Sequence, residues 1–356
     1  MIVPSYEIII VFALFCVPLS WALPRDHALD AVSVWTMICI TLLAPATALW
    51  LALIAVGLPI LISRGALARG PVIAAVMLIV IGGLVVSRTL PDWGWIGMAY
   101  VTLRALHVLL EGWMGRITTL TVRDSLHYIF FLPTLAAGPV NRLPHFQHQV
   151  RRRRWDASQF FAGAERVGLG LLWIYVVAGR LLTRIAYEID ANFDGAEVEW
   201  WALWSGSAIG WVQLYFAFAG TTHVALGIAL MMGLVLEENF DRPWAARTLP
   251  EFWPRWHMTL THWVRDYVFR PVMALTRSPV TALVLAMLVV GLWHAFSLYY
   301  VLWAVWQSLG IIVSRLMMTR VPVHLPLRAT QVLGPIFNLA WLSAAVPVMA
   351  LLGVSP

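Results

Sequence analysis

The sequence predicts an all-α, polytopic transmembrane helical bundle of about ten or eleven segments, some of them re-entrant. Two observations carry this prediction: 61% of the 356 residues are hydrophobic, and only 12% are charged. The charged share is about half of that in soluble domains. Such a composition excludes a soluble enzyme, which could not bury this much apolar surface, and it excludes intrinsic disorder. We expect one membrane-embedded domain over residues 1–356.

The basic residues are all arginine. The sequence has 24 of them and no lysine, and against 18 acidic residues they give a net charge of +6. In a membrane protein this excess usually marks cytoplasmic loops, so we expect no nucleic-acid partner. The arginine tract 151–154 is the strongest such mark. It predicts a cytoplasmic loop, with binding of an anionic ligand or lipid headgroup as the alternative.

Apolar stretches of about 20 residues predict the spanning helices. The first stretch, 8–23, has no basic residue before it and no small-x-small cleavage site, so we expect a retained span rather than a signal peptide. Pro45 divides residues 31–63 into two segments, or into one span and a re-entrant piece. Further apolar segments are predicted over residues 71–87, 161–185, 200–236 with a break near Gly220, 280–300, 301–316 and 329–352.

Residues 95–113 are apolar but carry three ionisable side chains. Arg104, His107 and Glu111 are spaced three and four apart, which places them on one helix face. Such groups are costly in a bilayer unless they face the bundle interior or a water-filled cavity. They indicate either a structural ion-pair network or the polar lining of a substrate path. Residues 126–140 are too broken by proline and glycine for a plain span.

Two histidines lie in unusual surroundings. His257 lies in the stretch 237–277, which holds 11 of the 42 charged residues, and His294 lies in an apolar segment. Imidazole suits proton transfer near neutral pH, and an ionisable residue at membrane depth indicates a functional site. The alternative is a hydrogen-bonded core histidine. His257 and His262 do not share a helix face and no carboxylate pattern accompanies them, so no metal site is expected.

Four short blocks follow one another in the sequence, over roughly residues 95–310. In order, they are IGMAY at 96–100, which runs on to Glu111, FLPTLAAGPV at 131–140, EFWPRWHMTL at 251–260 with WVRDYV at 263–268, and GLWHA at 291–295 with LW at 302–303. Together the four blocks resemble the membrane-bound O-acyltransferases. They are most similar to the bacterial branch that acylates exopolysaccharides, peptidoglycan or teichoic acids. The sequence departs from the family at Ala217 and His223, where acidic residues are usual, and at Ala295, where glycine is usual.

The resemblance implies the family's fold and its acyl transfer reaction. His294 is then the catalytic residue, a general base that takes the proton of an acceptor hydroxyl as it attacks a thioester carbonyl. His257 supports it, by orienting the donor or by stabilising the oxyanion. The implied donor is a cytoplasmic acyl thioester, acetyl-CoA, which is a substrate, and no permanently bound cofactor is expected.

The donor carries phosphates, which arginine binds in a bidentate manner. Arg255, Arg265 and Arg270 are therefore candidate donor-side residues. Their alternative role is ion pairing with Glu251 and Asp266. The complete set of candidate binding residues is Trp253, Arg255, Trp256, Arg265, Asp266, Trp293 and Arg104.

The resemblance also implies a location and partners. We expect a multi-pass protein of the bacterial inner membrane, in contact with membrane lipid. The expected acceptor is a polysaccharide or cell-wall polymer, reached through a separate periplasmic SGNH or esterase-like acyltransferase, since the sequence shows no soluble domain of its own. Two other functions stay open. One is a transporter or flippase of a lipid-linked sugar, although its inverted repeats are not evident, and the other is a non-catalytic scaffold, which the residues at 217 and 223 favour.

Overall fold

A computed structural model describes residues 6–90, 95–191, 200–320 and 326–354. Within these ranges all regular structure is helical, which confirms the all-α prediction. Seven of the described helices are long and apolar enough to cross a membrane, and two shorter apolar helices accompany them. The sequence predicted ten or eleven segments because it also counted residues 95–113 and 126–140, which form a 16-residue helix and shorter pieces.

The chain divides into two compact units. The first comprises Met1–Gly170 and Thr221–Glu237, and the second comprises Leu171–Gly220 and Glu238–Pro356. The boundary at Gly220 lies inside the long helix Trp200–Met231, so each unit contains a part of that helix. Neither unit is therefore continuous in sequence. The division does not test the single domain expected over residues 1–356, which stays a prediction.

The first unit is built mainly from the N-terminal helices. Pro45 ends one span and begins the next, as predicted, because a residue without an N–H is tolerated in the first turn of a helix. The helices of this unit are α1 (Tyr6–Ala22), α2 (Arg25–Leu43), α3 (Pro45–Ser63), α4 (Gly70–Thr89), α5 (Met98–Trp113), α6 (Val122–Ile129), α7 (Leu143–Arg152) and α8 (Ala157–Leu171), with the C-terminal end of α10 (Trp200–Met231).

The three ionisable residues of α5 hold neighbouring segments in place. Arg104 is fully buried and donates to both the carbonyl and the hydroxyl oxygen of Thr134. His107 Nε2 accepts the backbone N–H of Leu143 at 3.1 Å. Glu111 pairs with Arg116 at 2.7 Å. These contacts support the structural reading of this face over a substrate path.

The arginine tract 151–154 does not have one environment. Three of its residues are exposed, but Arg153 is 3% exposed. Its guanidinium donates to the carbonyls of Met232 and Ser20 and lies 4.0 Å from the ring of Trp21. Arg153 therefore stabilises the first unit. The prediction of a cytoplasmic loop depends on the other three arginines of the tract.

The second unit contains the histidine region. Its α10 is one uninterrupted helix, so the predicted break near Gly220 is wrong: a glycine inside a long apolar helix lowers its stability without ending it. A three-residue connection at 295–297 separates the next two spans, and His294 is the last residue of its helix rather than a mid-span residue. Besides α10, the helices are a π-helical segment (Leu172–Leu182), α9 (Thr183–Ala191), α11 (Leu249–Phe252), α12 (Met258–Val264), α13 (Arg270–Thr276), α14 (Pro279–His294), α15 (Leu298–Arg320), α16 (Leu327–Ser343) and α17 (Ala345–Leu351).

Candidate active site

A cavity of about 480 Å³ in the second unit brings the two histidines together. Its volume lies within the range of small-molecule sites. Both His257 and His294 line it, and the remaining wall is mainly aromatic and aliphatic. We call it the histidine cavity. Its polar and aromatic lining residues are Trp211, Phe218, Trp253, Trp256, His257, Thr261, Arg265, Phe269, His294, Tyr299, Tyr300, Trp303 and Arg315.

His294 is held at the junction of α14 and α15. Its imidazole lies parallel to the ring of Tyr300, with 5.5 Å between the ring centroids and 15° between the planes. The two helices approach so closely there that a Cβ built on Gly291 would lie 2.5 Å from the Tyr300 carbonyl oxygen. His294 is exposed. It is therefore the histidine that a substrate in the cavity can reach.

His257 has a different environment. It is 3% exposed, and its backbone is left-handed, with φ 43° and ψ 55°, at the start of α12. A non-glycine residue in this region is uncommon and often marks a functional site. The ring of Phe218 lies edge-on to the imidazole at 4.7 Å. Burial, and to a smaller extent the nearby His294, lowers the pKa of His257 well below its usual value, so this histidine is neutral at physiological pH.

Trp293 lies between the two histidines. Its ring centroid is 5.7 Å from that of His257 and 4.8 Å from that of His294. The arrangement combines one exposed imidazole with one buried, neutral imidazole. Such a pair can supply a proton acceptor and a hydrogen-bond donor to one reacting group.

The charged residues that line the histidine cavity are both arginines. Arg265 and Arg315 are exposed, and no described carboxylate lines the wall. One oxygen of Asp266 binds two guanidiniums, of Arg265 at 3.2 Å and of Arg270 at 2.9 Å. This confirms the ion pairing expected of Asp266. Glu251, in contrast, pairs with Arg247.

The structure brings together some of the catalytic and binding residues that the sequence predicted. Trp253, Trp256 and Arg265 line the histidine cavity with the two histidines, and Trp293 contacts both histidine rings. The described lining residues do not include Arg255, Asp266, Arg270 or Arg104. Arg104 lies in the first unit, bound to Thr134.

The sequence reasoning missed several wall residues. Trp211 and Phe218 come from α10, and Tyr300 and Arg315 come from α15. An arginine within an apolar span is unusual, and this signal could have identified Arg315. Nothing in the apolar sequence of α10 distinguishes its cavity face from its other faces. Among the described residues, no three His, Cys, Asp or Glu side chains are grouped as a metal site requires.

Acidification is expected to destabilise the protein through His257. Because the pKa of His257 is lowered in the folded state, the unfolded chain binds a proton at this residue while the folded chain does not. Its contribution to stability is complete above the ordinary pKa of 6.5 and falls as the pH decreases below that value. The loss amounts to at most about 2 kcal/mol at about pH 5. It can be measured as the Tm of the purified protein against pH.

The matched variants for this measurement are His257→Asn and His148→Asn. Asparagine tolerates the left-handed backbone of position 257, and His148 is exposed. The first variant should weaken the pH dependence of Tm, and the second should leave it as in the wild type. An unchanged slope in His257→Asn would mean that another group causes the acid destabilisation.

Comparison with known proteins places these residues in a family. Residues 114–352 match the model of the membrane-bound O-acyltransferase family. The matched range contains the three blocks at 131–140, 251–268 and 291–303, and both histidines.

Three curated proteins illustrate the similarity. The chain is 29% identical to the teichoic acid D-alanyltransferase of Streptococcus thermophilus, over 62% of this chain and 56% of the relative. It is 30% identical to the probable alginate O-acetylase of Pseudomonas aeruginosa, over 62% of this chain and 42% of the relative. It is 26% identical to the peptidoglycan O-acetyltransferase of Helicobacter pylori, over 54% and 37%. The matched region thus spans about half the length of these relatives.

Proposed function

Because the chain belongs to the membrane-bound O-acyltransferase family, we propose that it moves an acetyl group from cytoplasmic acetyl-CoA to a hydroxyl of an extracellular polysaccharide or cell-wall polymer. The observation that carries the proposal is the histidine cavity, which joins an exposed and a buried imidazole to two arginines. The similarity to relatives named for teichoic acid, alginate and peptidoglycan supports this class of acceptor.

The two histidines have separate roles in the proposed reaction. The acceptor hydroxyl oxygen attacks the thioester carbonyl while His294 takes the hydroxyl proton. The carbonyl oxygen becomes an oxyanion, and the neutral His257 donates a hydrogen bond to it. When the intermediate collapses, the carbon–sulfur bond breaks and His294 returns the proton to the sulfur of CoA. The acetyl ester and free CoA are the products.

The arginines of the cavity account for donor binding. Arg265 and Arg315 give the histidine cavity a positive charge with no carboxylate in the described wall, which suits the phosphates of CoA. Arg265 is held by Asp266 and is therefore positioned before the donor binds. Arg315 is therefore added to the residues proposed to bind the donor. Arg255, Arg270 and Asp266 are assigned supporting roles outside the cavity wall.

The proposed location is the bacterial inner membrane. The described helices make the chain a multi-pass integral membrane protein. Acetyl-CoA is found in the cytoplasm and the acceptor polymer outside, so the acetyl group has to cross the bilayer. We assign the final transfer, from the acetyl ester formed at the histidine cavity to the polymer, to a separate periplasmic acyltransferase of the SGNH or esterase-like type.

The reaction can be tested in everted membrane vesicles that contain the full chain, the separate periplasmic acyltransferase and the acceptor polymer. Radiolabelled acetyl-CoA is added outside, and alkali-labile label is measured in the polymer fraction. Label is expected with the wild type and not with His294→Asn. Equal labelling in both would refute the role of His294, and no labelling with correctly inserted wild type would favour the non-catalytic scaffold.

Donor binding has its own prediction. Charge-assisted hydrogen bonds are worth about 1.5–3 kcal/mol, so Arg265→Gln and Arg315→Gln should each raise the KM for acetyl-CoA by about tenfold or more, with a smaller change in kcat. The matched control is Arg184→Gln, since Arg184 is exposed, lies outside the described lining of the histidine cavity and pairs with Glu188. A KM unchanged in both cavity variants would contradict the donor site.

A further inference from the structure

A second cavity of about 530 Å³ lies in the same unit, behind the wall of the histidine cavity. Trp211 and Trp256 line both cavities, and Phe252 stacks on Trp256 with 5.6 Å between ring centroids. The second cavity lies between α10 and α16. We call it the apolar cavity.

The wall of the apolar cavity has no charged residue among those described. It is formed by aromatic, aliphatic and proline side chains, with one phenol, Tyr215, and one amide, Asn338. The amide is committed to the fold, because Asn338 Nδ2 donates to the carbonyl oxygen of Ala246 at 2.8 Å. Such a wall suits a hydrocarbon ligand, in contrast to the arginines and histidines of the neighbouring cavity.

The apolar cavity is held open by rigid contacts. Trp204 of α10 donates to the carbonyl of Ala340 and to the hydroxyl of Ser343, which fixes α10 against α16. A Cβ on Gly334 would lie 2.4 Å from the Arg247 carbonyl oxygen, so α16 also packs directly on the turn at Pro243–Ala245 and the residues after it. The space between these elements is therefore part of the fold.

The mouth of the apolar cavity lies at the depth of the lipid chains. Ile336 lines the cavity and is nevertheless 60% exposed. It belongs to the candidate span Arg328–Leu351, well inside both ends, and Val212 lies similarly inside the span Ala202–Met231. An opening at this depth faces hydrocarbon in a spanning protein. The molecules available to enter it are membrane lipids.

We propose that the apolar cavity binds the hydrocarbon chain of a membrane lipid. The chain enters beside Ile336 and lies against Trp256, which also lines the histidine cavity. A bound chain thus supports the residue that directly precedes His257. The chain can belong to a phospholipid or to a polyprenyl phosphate, which share this chemistry.

The test uses photoactivatable lipids and needs no catalytic turnover, so it is independent of the acyl transfer. The full chain is placed in liposomes that contain either a phospholipid or a polyprenyl phosphate with a diazirine in its hydrocarbon chain. After illumination, the labelled peptides are identified by mass spectrometry. Labelling of α10 around Val212 and of α16 around Leu339 is expected with one probe or both, and the probe that labels identifies the source.

Three variants separate the cavity from the general lipid surface. Leu339→Trp and Val212→Trp fill the apolar cavity from opposite walls and should each abolish the labelling at the other wall. Leu333→Trp adds the same ring on α16 at an exposed position outside the cavity and should leave the labelling intact. Undiminished labelling in both filled variants, or no labelling of the cavity walls with either probe, would overturn the proposal.

Discussion

Replacing His294 with asparagine is expected to abolish acetyl transfer while the protein still folds and inserts. The variant keeps a polar side chain but loses the basic nitrogen, and general-base catalysis is worth about 10²–10⁴-fold in rate. Little stability should be lost, because the imidazole is exposed and packs against the rings of Trp293, Tyr300 and Trp303. The measurement is the initial rate of label transfer in vesicles, together with the monodispersity of the purified variant.

The matched control for this variant is His148→Asn. His148 is also exposed and lies outside the histidine cavity, so its replacement should leave the rate unchanged. A His294→Asn variant that transfers acetyl groups as fast as the control would remove the general base from the proposed reaction. A variant that fails to insert would be replaced by His294→Gln, for which the same loss of rate is expected.

The second large effect is expected from Gly291→Ala. The added Cβ would lie 2.5 Å from the carbonyl oxygen of Tyr300 and 3.3 Å from the Cβ of Ala304. A backbone carbonyl cannot rotate away as a flexible side chain can, so α14 and α15 must separate. Overpacking of this kind costs about 1–3 kcal/mol. Because Tyr300 stacks on His294, the proposed general base moves as well, and a displacement of about 1 Å can lower the rate by about 10²-fold.

Gly82→Ala provides the control for this prediction. Gly82 lies inside α4, and no heavy atom outside its own helix lies within 4 Å of the added Cβ. The same substitution there should stabilise the protein by up to about 1 kcal/mol, through helix propensity alone. If Gly291→Ala kept the rate and Tm of the wild type, the close approach of α14 and α15 would not position His294.

The sequence predicted the parts of the site that have a local chemical signature. Pro45 ended a helix as expected, since the missing N–H acts locally. The third and fourth sequence blocks carry His257, Arg265 and His294, which line one cavity. The first two blocks instead meet in the first unit, where Arg104 binds Thr134. The contacts between these two blocks therefore support a structural role for them.

The remaining features depend on tertiary packing. The aromatic wall from α10 could not be predicted, because an apolar helix without charges has no periodic signal for its buried face. The left-handed backbone of His257 could not be predicted from the sequence, because residues with this conformation are usually glycine or asparagine. Pairing of the backbone N–H of Met258 with the Asn239 carbonyl at 2.8 Å helps to hold it.

The positive φ of His257 also makes this position suited to chemical rescue. A left-handed conformation costs a side-chain-bearing residue about 1–2 kcal/mol, and glycine adopts it freely. His257→Gly would therefore remove the imidazole and release this strain together, leaving a hole the size of the ring beside Phe218 and Trp293. Free imidazole added to the solution has the shape and the hydrogen-bonding atoms to occupy that hole. The backbone of one residue thus allows the contribution of its ring to be withdrawn and returned in the same sample.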